Sequence, residues 1–368
     1  MSVEDLAGRD LPGYDHLPNL VLREAGALIL GKTNVPPLLD DYTSSNADFG
    51  ITRNPWDLAR TPGGSSGGAA AAVSAGFSVA DLGSDLYGST RMPASWCGIF
   101  AHRPTNGLVS KLGHMPEFPD ARIEPPLSTV GPLTRCAGDL ASMLAAMTGR
   151  EGHTARGWEI ALPPPSRSVL PGTRVALWLD EPAAPIDSET RVALLAFGER
   201  LRDAGCEVSQ LPAGIAGPDA VELLDRLKAI ELAHNIAGPR RDLAAAWADW
   251  EEQHRRSELW TGRFRYVDII VAPATFSAAP LLPELPADQR WVDHGGQAVR
   301  AMDFYSAWSK LTNIAKGPAT VIPLGLGHES GLPIGAQLLG PYMGDLTTLW
   351  FARQLEWAGV VSSISPPR

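Results

Sequence analysis

The sequence predicts an α/β fold, a largely parallel sheet with helices on its faces, and three stretches carry that expectation. "TRVALWLD" (173–180) reads as a strand. "SETRVALLAFGERLRDAGCEVSQLP" (188–212) reads as an amphipathic helix leading into another strand. "YVDIIVAPAT" (266–275) is apolar through its centre, the pattern of a strand buried on both faces. Strand, helix and strand in succession describe a parallel pair joined by a crossover helix.

The remaining elements follow in chain order. "LPNLVLREAGALILGKTN" (17–34) predicts a short amphipathic helix, a turn at Gly26, then a buried strand ALILG. Residues 35–62, rich in Pro, Asn, Asp and Ser, predict long ordered loops. A small-residue helix is expected at about 67–76, and "SVADLGSD" (78–85) as a strand ending in a turn. "TVGPLTRCAGDLASMLAAMTG" (129–149) predicts a turn and then a helix. A surface connector is expected at about 150–172. Residues 219–262 read as charged helices carrying Trp247, Trp250 and Trp260, which are expected in the core or at an interface. The proline-rich, then polar stretch 277–300 reads as a flap, and "PATVIPLG" and "GLPIGAQLLGP" as two closing strands.

Composition narrows the function classes. With 44% hydrophobic and 20% charged residues the chain has an ordinary globular balance. A formal charge of −10, with no basic run, argues against nucleic acid and against an anionic membrane as partners. Three widely spaced cysteines form neither a disulfide framework nor a zinc pattern, and eight histidines show no metal-ligand spacing. The first 30 residues lack the pattern of a signal peptide and no apolar run reaches membrane-spanning length, so a cytoplasmic protein is expected.

"GALILGKT" (26–33) matches the phosphate-loop pattern letter for letter, with Lys32 and Thr33 in the phosphate and magnesium positions. The chemistry opposes it. A phosphate cradle needs a flexible loop, whereas Ala27–Leu30 is an apolar run, and a helix should follow the lysine where this chain has "NVPPLLDD". A strand and turn is the better reading.

The stretch "TPGGSSGGAAAAVSAG" (61–76) places glycines on both sides of Ser65 and Ser66, just before the small-residue helix. Glycine there lets the backbone approach another segment with no side chain in the way. Ser89 lies in a second small-residue turn, "LGSDLYGSTRMPASWCG" (82–98), at the end of an expected strand. Two such turns can converge where strand ends gather at one sheet edge. They can equally be tight turns with capping serines. His102 and His114 flank the second turn, and Cys97 sits among apolar neighbours; structural roles are expected for all three.

Taken together, "GKTNVPPLLDDYTSSNADFGITRNPWDLARTPGGSSGGAAAAVSAG", "GSDLYGSTRMPASWCGIFAHRPTNG", "STVGPLTRCAGDL" and "GPATVIPLGLGHESGLPIGAQLLGP" strongly resemble the amidase signature family. The resemblance runs from about residue 18 to the end and is loosest in the middle third. It implies one domain over 1–368, with a mixed, mainly parallel central sheet wrapped by helices. It also implies amide hydrolysis by a Ser–Ser–Lys relay without metal or organic cofactor. Carried over by motif position, Ser89 would be the nucleophile. Ser65 would be the bridging serine, held by a cis peptide after Gly64. The backbone N–H groups of Leu86, Tyr87, Gly88 and Ser89 would form the oxyanion hole, each donor worth roughly 3–4 kcal/mol in the transition state. Ser66, Asp85 and Arg91 would support them.

Two departures stand out. The family's base, a buried neutral lysine well upstream of the bridging serine, has no counterpart; the first lysine, Lys32, belongs to GKTN. Three readings follow: a chain shortened at its N-terminus, a substitute base among Lys111, His114, Lys310 and Lys316, or a relative that has lost hydrolysis and binds a ligand or partner enzyme. Tyr87 stands where the family usually has glycine, and its side chain is expected to crowd the oxyanion loop or wall a pocket. Segments 36–45 and 277–300 are expected to shape the acyl pocket. The activity expected is hydrolysis of a small carboxamide or anilide through an acyl-Ser89 intermediate. A homodimer is expected on the ground that absent N-terminal helices would leave apolar surface exposed.

Overall fold

The computed structural model describes residues 17–111, 114, 126–149, 159–217, 219–233 and 242–367. The first part runs α1 (Leu17–Glu24), β1 (Ser45–Asn46), β2 (Gly50–Ile51), α2 (Gly67–Ser74), β3 (Ala80–Asp85), α3 (Arg91–Cys97), β4 (Phe100–Arg103), β5 (Thr129–Thr134) and α4 (Ala137–Met147). Then come β6 (Arg174–Leu177), α5 (Ser188–Asp203), β7 (Glu207–Gln210), α6 (Ala220–Ala233), α7 (Leu243–Arg263) and β8 (Ile269–Pro273). The chain ends with β9 (Trp291–His294), β10 (Gln297–Arg300), α8 (Ala301–Thr312), β11 (Ala319–Leu326), β12 (Pro333–Leu339) and α9 (Asp345–Trp357).

Eight strands form the central sheet in the order β3-β5-β4-β11-β12-β8-β6-β7. Strand alternation sorts its core. Val175, Leu177, Ile269 and Val271 pack on one side with Leu194, Phe197 and Leu201 of α5 and Phe351 and Leu355 of α9. Ala176, Trp178, Ile270 and Ala272 pack on the other with Leu223 and Leu227 of α6, Trp260 of α7 and Trp308 and Leu311 of α8. The crossover read from 173–212 is present: β6 pairs in parallel with β7 and with β8.

The expectation of a mainly parallel sheet is wrong. The other five pairings in the sheet are antiparallel, which leaves two parallel pairs of seven. The physical reason is connection length. β11 and β12 are joined by a six-residue loop, 327–332, too short to carry the chain back for a parallel partner. The crossover rhythm of one segment does not extend to strands that lack crossover helices. "TVGPLT" is likewise the sheet strand β5 rather than a turn, paired on both edges despite Pro132.

Residues 27–36, expected to open with a buried strand, form no helix or strand. Leu28 and Leu30 are 88% and 79% exposed. No described strand pairs with this stretch, and an apolar run without a ladder partner has nothing to hold it as a strand. No α-helix opens after Lys32, only a 3-10 turn at Pro37–Leu39, in keeping with the rejection of a phosphate loop. Residues 150–158 of the expected connector, and 234–241 between α6 and α7, lie outside the described residues; 159–172 contain no helix or strand. The expected flap contains the β9–β10 hairpin. Trp260 is buried and Trp247 exposed. Among the described residues no helix is long and apolar enough to cross a membrane.

Candidate active site

Ser65 and Ser66 precede α2, and Ser89 lies between β3 and α3. The fold brings the two turns together: the Ser66 N–H donates to the Ser89 carbonyl at 3.1 Å. The Gly64–Ser65 peptide is cis. Both Ser65 and Ser89 are buried, at 1% and 5% exposure, and neither hydroxyl makes a hydrogen bond among the described residues. Ser44, which sequence reasoning missed, cradles the first turn. Its hydroxyl accepts the Gly67 N–H at 2.9 Å and lies 3.1 Å and 3.2 Å from the carbonyls of Ser65 and Gly63. A side chain at Gly64 would start 2.2 Å from the Asp41 carbonyl, so only glycine lets the two backbones meet there. The Ser66 hydroxyl faces the Ser84 carbonyl at 3.5 Å.

Asp85 organises the second turn. Its carboxylate accepts the Gly88 N–H at 2.7 Å, the Thr90 N–H at 3.2 Å, the Thr90 hydroxyl at 2.8 Å, and the Arg91 guanidinium at 2.9 Å and 2.8 Å. Arg103 stands 3.8 Å away. Burial alone would raise this carboxyl's pKa; the Arg91 and Arg103 charges and the hydrogen bonds outweigh it and hold it well below the usual range. Arg103 is pushed down to about 10, by burial first and then by repulsion from Arg91. The engagement of Asp85 alters the expected oxyanion set, because the Gly88 N–H is already taken. Among the described residues the N–H groups of Leu86, Tyr87 and Ser89 make no hydrogen bond.

A third support was not foreseen. Helix α8, the residue after it and Gln337 of β12 press against the loop: Ser309 faces Gly88, Thr312 and Gln337 bond Arg91 at 2.6 Å and 3.0 Å, and Asn313 bonds Arg91 at 2.8 Å and the Leu86 carbonyl. The available signal was the polar set Ser309, Lys310, Thr312 and Asn313, gathered at the C-terminal end of one helix.

Tyr87 does not lie across the loop. Its ring is buried in the core cluster with Leu223, Leu227 and Leu311, and its hydroxyl donates to the Leu224 carbonyl of α6. The segments expected to shape an acyl pocket meet each other: Arg290 of the flap forms two bonds to Asp41, 2.9 Å and 2.8 Å. Of the four candidate bases, Lys310 is held by Asp225 at 2.5 Å and Asp303 at 3.8 Å, and Lys111 lies 3.6 Å from Glu231. Burial lowers the pKa of Lys316. His102 is fully buried between Thr320 at 2.9 Å and Asp345 at 3.1 Å, a structural placement. The Cys97 thiol, also buried, is pushed up by desolvation. A groove of about 680 Å³ beside α5 and α9 shares no lining residue with the serine turns.

Comparison with known proteins agrees with this architecture. The family model described as Amidase matches residues 20–214 and 214–349. The A-subunit of glutamyl-tRNA(Gln) amidotransferase from Gloeobacter violaceus is 38% identical over 203 residues, 54% of this chain and 40% of that protein. A putative amidase of Mycobacterium tuberculosis, AmiB2, is 33% identical over 376 residues, 94% of this chain and 76% of that protein. The chain thus spans about two fifths of the first relative and about three quarters of the second. Among solved structures, the glutamyl-tRNA(Gln) amidotransferase A-subunit of Thermotoga maritima superposes with a TM-score of 0.74 at 26% identity, covering 95% of this chain and 78% of that one. These names overturn the exclusion of nucleic acid, since several relatives are named for a tRNA. Net charge is a sum over the whole chain and does not exclude an RNA-linked substrate handled within an assembly. A family match over residues 20–349 and a relative 33% identical across 94% of the chain place this chain in the amidase family.

Proposed function

We propose that the chain hydrolyses a small carboxamide or anilide through an acyl-enzyme on Ser89. The observation that carries this reading is the backbone bond from Ser66 to Ser89, which sets two buried, uncommitted serine hydroxyls on adjoining turns. The Ser89 oxygen attacks the carbonyl carbon as its proton passes to Ser65 and on to a base. Negative charge then develops on the former carbonyl oxygen. The N–H groups of Leu86, Tyr87 and Ser89 are the donors left to receive it. The amine leaves with a proton, and water attacks the ester to free the acid and restore Ser89. Of the candidate bases, Lys316 is the one whose pKa burial lowers, and it is the first to test.

The test is intact mass of the chain after exposure to a fluorophosphonate, beside Ser89→Ala and Lys316→Met. A single adduct, absent in Ser89→Ala and slowed at least tenfold in Lys316→Met, is expected. A folded protein that takes no adduct would overturn the hydrolytic reading. A second reading rests on the relatives named for the glutamyl-tRNA(Gln) amidotransferase. In it the chain performs its amide chemistry as one component of an assembly acting on glutamyl-tRNA. Hydrolysis of glutamine only on addition of such partners would favour it.

A further inference from the structure

Lys310 is an unusual residue for its place: 3% exposed, on a helix packed against the loop between β3 and α3, and used by no step above. Its ammonium lies 4.9 Å from the centre of the Tyr87 ring. A second ammonium, that of Lys228 on α6, lies 5.3 Å from the same ring. Both cations are held from behind, Lys310 by Asp225 and Asp303 and Lys228 by Asp40 at 3.3 Å. A cation against an aromatic face contributes about 0.5–1 kcal/mol when exposed and more when desolvated. The phenol completes the grip through its bond to the Leu224 carbonyl. Burial first, and then the nearby carboxylates of Asp225, Asp303 and Glu231, push the phenol's pKa far above its ordinary value, so it stays a donor.

Tyr87 lies between two residues whose backbones are fixed by other means. The Leu86 carbonyl is held by Asn313 and the Gly88 N–H by Asp85. The peptide units on either side of Tyr87 are thus each tied at one atom, and the Tyr87 side chain adds a third hold on the Cα that joins them.

We propose that Tyr87 is a positioning residue, through which Lys228, Lys310 and the Leu224 carbonyl fix the direction of the Leu86–Ser89 backbone N–H groups from helices α6 and α8. This deepens the hydrolytic reading and, for its catalytic consequence, rests on it. It also explains how a bulky residue is accommodated in a turn where the family resemblance implies glycine: the side chain is an anchor directed away from the reacting atoms.

The experiment compares the wild type with Tyr87→Phe, Lys310→Met and Lys310→Arg by two measurements. Hydrogen exchange of peptides covering 84–92, read by mass spectrometry, reports the loop itself. Tyr87→Phe and Lys310→Met are expected to speed exchange there at least fivefold while peptides from β11 and β12 keep wild-type rates. Lys310→Arg, which retains the cation, is expected to restore slow exchange. Hydrolysis of a panel of acyl anilides reports the consequence. There kcat is expected to fall about tenfold with KM unchanged, less than the roughly hundredfold loss of a whole oxyanion donor. Wild-type exchange in the 84–92 peptides of Tyr87→Phe, or equal change throughout the chain, would overturn the proposal. An inactive wild type would overturn the hydrolytic reading alone, since exchange still decides whether the pin exists.

Discussion

Residues 27–35 and 63–97 are near neighbours in sequence and both rich in apolar or small residues, yet the first is left in water and the second is knit into the molecule. In the first stretch Leu28, Ile29 and Leu30 are exposed. Its ties to the rest are polar: Asn34 bonds the carbonyls of Ser44 at 3.2 Å and Gly50 at 3.1 Å and the Thr52 hydroxyl at 3.0 Å. In the second, Asp85, Arg91, Trp96 and Cys97 are fully buried, and Asp85 and Arg91 pair at 2.8 Å. The difference teaches that apolar character by itself does not bury a segment. Burial needs facing surface and partners for the backbone, and the serine turns have both, from α8, β5 and the 41–44 loop.

The comparison breaks most severely at Asp85. Asp85→Asn would leave the Arg91 and Arg103 guanidiniums buried together without their shared carboxylate. Removing one partner of a buried pair costs about 3–5 kcal/mol. We expect a loss of that order in urea unfolding at pH 7, and loss of fluorophosphonate labelling with it. The pH dependence has a definite sign. The folded pKa of Asp85 lies below its unfolded value near 3.8, so its stabilisation is present above that value and is lost as pH falls through the folded pKa. The gap between wild type and Asp85→Asn should therefore be flat from pH 7 to about 4 and close only in stronger acid. A gap that closed near pH 6 would show that another group controls it.

Gly88 marks a smaller break in the same region. Its φ is +103°, and a Cβ placed there would lie 2.4 Å from the Cβ of Ser309. Gly88→Ala should cost roughly 1–3 kcal/mol through overpacking and backbone conformation. Because the contact is with one side chain, Ser309→Gly in the same protein should recover part of that loss, a coupling visible in a double-mutant cycle of urea midpoints. Additive losses would show that the backbone conformation, and not Ser309, is what the methyl group offends.

How much of this was legible in the sequence depended on whether a feature was local. Both serine turns, the β6–α5–β7 crossover and the buried run of β8 could be read because motif or periodicity sits within a few residues. The clamp on the loop could not. Arg91 meets Thr312, Asn313 and Gln337 across separations of 221, 222 and 246 residues, and no spacing rule links residues so far apart. The engagement of the Gly88 N–H by Asp85 is local, at a separation of three, yet it too escapes a motif reading. A motif names which residues meet a reaction but not which of their backbone groups a neighbouring carboxylate has already claimed. Strand direction is illegible for a related reason, since it is set by connections and not by the strands' own composition.

The smallest effect is expected at the other end of the comparison. If Leu28 and Leu30 stand in water as the fold places them, replacing both with serine removes no packing and leaves no cavity. Substitutions at such sites usually change stability by less than about 0.5 kcal/mol each. Leu28→Ser with Leu30→Ser should leave the urea midpoint and slope of the wild type unchanged, and should leave labelling of Ser89 unchanged as well. Buried leucines truncated to small residues cost about 2–5 kcal/mol apiece, so the two cases are well separated. A loss above about 1.5 kcal/mol would mean that these leucines are covered in solution. The contrast between the two regions would then reflect what binds the 27–35 stretch, and the cover could be sought by repeating the unfolding at several protein concentrations, where a second copy of the chain would make the midpoint rise with concentration.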